Sequence, residues 1–230
     1  MKKIYWLLMA AVFSLPVFTN AQQNKVDIGL EGSPGVALFW GSDVTIPFNS
    51  PVITVAGGLF VQYNLSDHFA LRTNAWYETK GSVAKGNELD KNNNVVAFST
   101  ANHFNYLTVP LLGRYTHGIH IGSAALGCFV NVGPYMGMLL SQSTVRDGIT
   151  SATIDNSSNY KKTDLGLSVG IGFEYPLKNK FGLSFEVRNN LGLVNISNIP
   201  LYNDGSIMTN STNFLFGFAY KLGAGAEASK

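Results

Sequence analysis

From residue 52 onward, polar and apolar positions alternate in one segment after another, the period of strands with two unlike faces. In ITVAGGLFVQYNL, Ile53, Val55, Leu59, Val61 and Tyr63 share one face, opposite Thr54, Gln62 and Asn64. FALRTNAWYETK sets Phe69, Leu71, Ala75 and Tyr77 against Arg72, Asn74, Trp76, Glu78 and Lys80. The most regular run is DLGLSVGIGFEY, where Leu165, Leu167, Val169, Ile171, Phe173 and Tyr175 oppose Asp164, Ser168, Glu174 and three glycines. FGLSFEVRNNL and NFLFGFAYKL repeat the pattern, the latter aligning Phe214, Phe216, Phe218 and Tyr220. Helical spacing fits none of these as well. Eight strands are predicted, at 25–40, 52–64, 69–80, 103–116, 120–141, 164–176, 181–197 and 212–222.

The links between them sort by length. Residues 65–68, 117–119 and 177–180 are tight turns, whereas 41–51, 81–102, 142–163 and 198–211 are long and rich in Asn, Ser, Asp and Gly. Strict alternation puts every short turn at one end and every long loop at the other, as in transmembrane β-barrels with short periplasmic turns and longer extracellular loops. A sandwich has no reason to sort its loops this way. The predicted fold is therefore all-β, an eight-stranded antiparallel up-and-down transmembrane barrel.

The apolar face then belongs outside, against outer-membrane lipid. It is nearly free of charge, and the opposite face is rich in Gly and Ser, as a narrow lumen requires. Aromatics (Tyr63, Phe69, Tyr77, Tyr115, Tyr175, Phe181, Tyr220) gather at strand ends, where interfacial girdles lie. Leu167, Val169, Ile171, Phe216 and Phe218 are expected to face lipid. Glu31, Arg72, Arg114, Glu174, Glu186 and Arg188, with Asp27, are expected inside as a paired charge network, because an unpaired charge in a narrow lumen is costly. A lumen this narrow favours a plug over a gated pore. The competing reading is a secreted lipocalin-like barrel with the faces reversed, carrying a small apolar ligand. Pro110 and Pro134 cannot donate to a ladder, which predicts a bulge, or local water inside the lumen, at Pro110.

Four of these strands resemble one family. NYLTVPLLGRY (105–115), GPYMGMLL (133–140), DLGLSVGIGFEYP (164–176) and EVRNNLGLVNI (186–196) are similar, in order, to strands of the PorT-like outer-membrane β-barrel domain family. The resemblance covers about 26–222. It implies an integral outer-membrane protein without a known catalytic site or cofactor, some of whose relatives serve protein secretion. Outer-membrane strands usually end the chain on an aromatic, whereas GAGAEASK follows Leu222 here.

Composition narrows the function further. Only 13% of the 230 residues are charged, too few for disorder, and no basic excess marks a nucleic-acid binder. Lys2 and Lys3 precede an apolar stretch ending near Ala21, which reads as a cleaved signal peptide over 1–21. Its removal leaves 14 basic against 14 acidic residues in a barrel domain at 22–222 with a periplasmic tail at 223–230. The single cysteine, Cys128, falls on the outward face, and the four histidines are too dispersed to hold a metal. His103, near Ser99 and Thr100, is the one position suited to a lipid A-modifying enzyme, but no carboxylate is paired with it in sequence. The function expected is a non-enzymatic scaffold. It contacts lipid and the outer-membrane assembly machinery, and its loops or periplasmic turns are available to a protein partner.

Overall fold

In the computed structural model, which describes residues 26–48, 50–121, 124–177 and 180–222, the alternating segments form a closed antiparallel ring. The strands are β1 (Val26–Gly41), β2 (Val52–Asn64), β3 (Phe69–Leu89), β4 (Val95–Ile121), β5 (Ala124–Asp147), β6 (Ala152–Ile154), β7 (Thr163–Pro176), β8 (Phe181–Gly192) and β9 (Ile207–Leu222). All except the short β6 belong to the ring, so the barrel has eight strands joined up and down. Closure comes from β1 with β9, Val26↔Leu222 through Gly41↔Ile207, and from β4 with β5. Closing the ring removes the unpaired edges that an open sheet would present to lipid.

Side chains sort by parity. Leu167, Val169, Ile171, Phe216 and Phe218 point outward and are exposed, while Ser168, Arg188, Asn190 and Asn213 between or beside them are buried. The reversed faces of a lipocalin-like barrel are not found. The turns at one end are tight: Leu65 and Ser66 N–H both donate to Phe69 O, and Leu177 N–H to Phe181 O. Aromatics ring this same end, with Phe69 against Tyr115 and Phe181 against Tyr220.

Several boundaries differ from the sequence reading. Residues 81–102 are not a loop: β3 and β4 continue as a hairpin paired from Gly81↔His103 to Leu89↔Val95. The strand β5 runs on beside them to Asp147 and carries β6 on its far side. The result is a sheet projecting past the other strands at the long-loop end. A backbone ladder needs no apolar side chains, so polar sequence does not end it once it leaves lipid. The segment 117–119 is strand as well, His117 pairing with Cys128 and Ile119 with Leu126. In turn β8 stops at Gly192, short of the expected 197, and β9 begins five residues early, at Ile207. Pro110 keeps its register opposite Tyr135, its carbonyl accepting from Thr73 Oγ1 at 2.8 Å; the shift lies instead between Asn105 and Tyr106. Pro134 likewise stays in register, opposite Leu167. The expected signal peptide at 1–21 and the expected tail at 223–230 lie outside the described residues.

The projecting sheet is pinned near its tip by Glu88, which accepts from Ile149 N–H at 2.8 Å and from Arg146. That backbone hydrogen bond first, and Arg146 second, hold the Glu88 carboxyl below its usual range. A depressed carboxylate contributes order that is complete above its unfolded pKa and is lost as pH falls through the folded one. Proteolysis of the 148–151 segment is therefore expected to be flat between about pH 6 and 8 and to quicken below about pH 4. An equally rapid cut at neutral pH would show that Glu88 does not tether it.

Candidate functional site

The lumen is the site, and it is filled from its middle to the long-loop end. Glycines in β7 leave room for large side chains from its neighbours: a Cβ at Gly166 would strike the Tyr135 ring, at Gly170 the Glu186 carboxylate, and at Gly172 the Phe129 ring. Into the vacated space the chain places charge in layers.

Nearest the short turns, Asp27 accepts from Gln62 Nε2 at 3.4 Å and Asn64 Nδ2 at 3.2 Å. Arg114 lies flat on Phe129, 3.5 Å from its centroid, and donates to Glu174 at 2.5 Å. Above it, Arg72 pairs with Glu31 and stacks 3.6 Å over Phe60. The other Glu31 oxygen accepts from Asn74 Nδ2 at 2.6 Å and faces Arg188 at 3.9 Å. Arg188 in turn grips Glu186 through two parallel bonds, 2.8 and 2.6 Å, the fork geometry that makes arginine–carboxylate pairs strong.

The topmost layer is the most completely enclosed. Glu78 accepts from Thr108 of β4 (3.3 Å), Asn190 of β8 (3.0 and 3.2 Å), and Ser211 (2.6 Å) and Asn213 (2.7 Å) of β9. One carboxylate thus ties four strands together across the lumen. Lys80, two residues on, sits 2.9 Å from Asp164, 3.0 Å from the Tyr135 hydroxyl and 3.9 Å from Glu78.

Of the residues singled out from sequence, Glu31, Arg72, Glu186 and Arg188 come together as one buried cluster. Arg114 and Glu174 form a separate pair, with the Glu174 side chain 38% exposed at the rim. Three charges were missed as members, Glu78, Lys80 and Asp164, all completely buried. Their signal was available, since each has inward parity in its strand. Parity had already placed Trp76 on the inward face, whereas Phe60, Phe129 and Tyr135 were not expected there; all four fit because a cation stacks on each ring. His103 faces outward between buried Asn102 and Phe104, and its cross-strand neighbours are Gly81 and Ser143 rather than a carboxylate. Among the described residues, no three His, Cys, Asp or Glu side chains could hold a metal ion.

A charged interior inside a closed apolar wall is the arrangement of a membrane barrel, and a model of the outer membrane protein β-barrel domain matches residues 20–198. The chain belongs to that family. It is thus an integral protein of the bacterial outer membrane, embedded in its lipid. Among solved structures, it is similar to Neisserial surface protein A, with 12% identity over 86% of this chain and 97% of that one and a TM-score of 0.45. Similarity to OprG of Pseudomonas aeruginosa is 13% over 88% and 98%, with a TM-score of 0.41. For Ail of Yersinia pestis it is 8% over 86% and 100%, with a TM-score of 0.36. No curated protein sequence matches.

This outer-membrane barrel is also capped. At the long-loop end Phe39, Phe104, Tyr106, Leu139, Ile196 and Ile207 form an apolar cluster within the ring, with Val44, Tyr160 and Leu201 packed against it. Ile196, fully buried, comes from the irregular segment after β8. Its N–H donates to Ile207 O and its carbonyl accepts from Lys161 N–H. Asn195 Oδ1 accepts from Ile207 N–H at 3.0 Å and Ser197 N–H at 3.1 Å, which folds that segment inward. Ion pairs therefore block the middle of the lumen, and a hydrophobic lid closes one mouth.

Proposed function

We propose that this barrel is a non-enzymatic scaffold of the PorT-like branch, closed to solutes, that presents the projecting β3–β4–β5–β6 sheet to a protein partner. The observation that carries this reading is the double obstruction of the lumen: the Glu31–Arg72–Arg188–Glu186 cluster in the middle and the Ile196 lid above it. The motif residues support the branch, because they converge on this plug: Tyr135 and Asp164 around Lys80, Glu186 and Arg188 below, Asn195 and Ile196 in the lid. In this reading the short turns are periplasmic and the projecting sheet is extracellular. The chain is exported by a signal peptide cleaved after Ala21 and inserted by the outer-membrane assembly machinery. Loops on a rigid scaffold are where recognition tends to reside.

Two measurements test it together. In a planar lipid bilayer the purified protein is expected to give no steady conductance, and regular single-channel openings would overturn the plug. Deleting residues 87–97, which removes the tip of the hairpin, should leave the barrel heat-modifiable on a gel because the ring pairs below Gly86↔Phe98 are untouched. The same deletion should abolish whatever phenotype loss of the whole protein produces; full function in the shortened barrel would place recognition elsewhere.

A further inference from the structure

The lumen changes character toward the short turns. There the inward positions Gly118, Ala125, Gly127, Gly182, Ser184 and Ala219 are all small, and they line a cavity of about 370 Å³ open at that end. At Gly118 a Cβ would meet nothing within 4 Å. The volume falls at the lower end of the ~300–1,000 Å³ typical of ligand pockets.

The inner wall of this cavity is polar in a particular way. The Gln62 carboxamide bridges Arg72 and Asp27, accepting from Arg72 Nη1 at 3.3 Å and donating to Asp27 Oδ2 at 3.4 Å. Across that bridge one donor and one acceptor are left over. Arg72 Nε and Asp27 Oδ1 are both buried without a hydrogen-bond partner, on residues only 3% and 7% exposed that line the cavity. Buried polar groups are normally satisfied, and this pair leaves a cationic donor and an anionic acceptor for a ligand that carries both an acceptor and a donor.

We propose that the cavity binds a small zwitterion, an α-amino acid or dipeptide, with its carboxylate toward Arg72 and its ammonium toward Asp27. A lone anion would face Asp27 and Glu174, and a lone cation would face Arg72, Arg114 and Lys221, all of which line the cavity. Only a ligand with both charges meets a complement for each. This site does not depend on what the opposite end of the barrel recognises.

Diglycine titrated into the refolded protein in detergent micelles tests the proposal by NMR. Saturable shifts of the Arg72 Nε–H resonance are expected, with acetate and methylammonium each binding at least ten-fold more weakly. Asp27→Asn keeps the shape and removes the anionic acceptor, and Gly118→Leu fills the space; each should raise the diglycine Kd ten-fold or more. Heat modifiability confirms that each variant has folded, and either one alone is sufficient. Shifts that never saturate, an equal response to acetate, or unchanged affinity in a folded variant would overturn the site and leave the cavity a water-filled vestibule.

Discussion

Replacing Lys80 with Met is expected to destabilise the barrel by about 3–5 kcal/mol, the cost of leaving a buried charge without its partner. Lys80 is fully buried and is the only cation within 4.0 Å of Asp164 or Glu78 among the described residues. Methionine matches the stem of lysine in volume, so the loss is chiefly electrostatic. Urea unfolding in lipid vesicles, followed by tryptophan fluorescence, measures it. Adding Asp164→Asn removes one of the stranded charges while keeping an acceptor for Tyr135 and Thr209, and should recover more than half of the loss. The exposed Arg146–Glu88 pair provides the contrast: Arg146→Ala should cost at most about 1 kcal/mol, because water and salt screen it. A Lys80→Met cost below about 1 kcal/mol would mean that water reaches Asp164 and that the lumen is no dry plug.

Val169→Arg is expected to cost about 2–4 kcal/mol, the penalty for a cation on the lipid face near the bilayer midplane. Val169 faces outward at the middle of β7, between Val132 of β5 and Asn189 of β8. The matched control is Val95→Arg, on a residue more exposed than Val169 but located in the projecting hairpin, where the change should stay within about 0.5 kcal/mol. Exposure alone would rank the two the other way; only the position of the membrane reverses the order. Equal effects at both positions would mean that this belt of the barrel is not in lipid.

Which features could be read before folding follows from the range of the forces involved. Strand parity is local, since successive side chains leave a strand on opposite sides, and Arg72, Glu78, Lys80, Asp164 and Glu186 could all be placed inward from it. Partnership is not local. Glu78 meets Ser211 and Asn213, 133 and 135 residues away, and Lys80 meets Asp164, 84 residues away; these contacts exist only once the ring has closed. The projecting sheet was hidden for another reason. Outside lipid nothing enforces the alternation of apolar and polar residues, so KGNELDKNNNVVAFST carries turn residues and ladder residues with no periodicity to separate them.

The sequence by itself determined the strand number, the two unlike faces, the short-turn and long-loop ends, and thereby an outer-membrane barrel, because each rests on the period of two or on spacing along the chain. Tertiary structure alone decided how the lumen is plugged, since the Ile196 lid and the cross-lumen ion pairs join strands remote in sequence, and it alone revealed the cavity beneath them. A pattern of small and charged inward residues is compatible with a pore, a plug or a pocket. Which of these results depends on the stagger of the strands around the ring. That stagger sets glycines opposite Tyr135, Glu186 and Phe129 where the lumen is filled, and small residues around Gly118 where it is not.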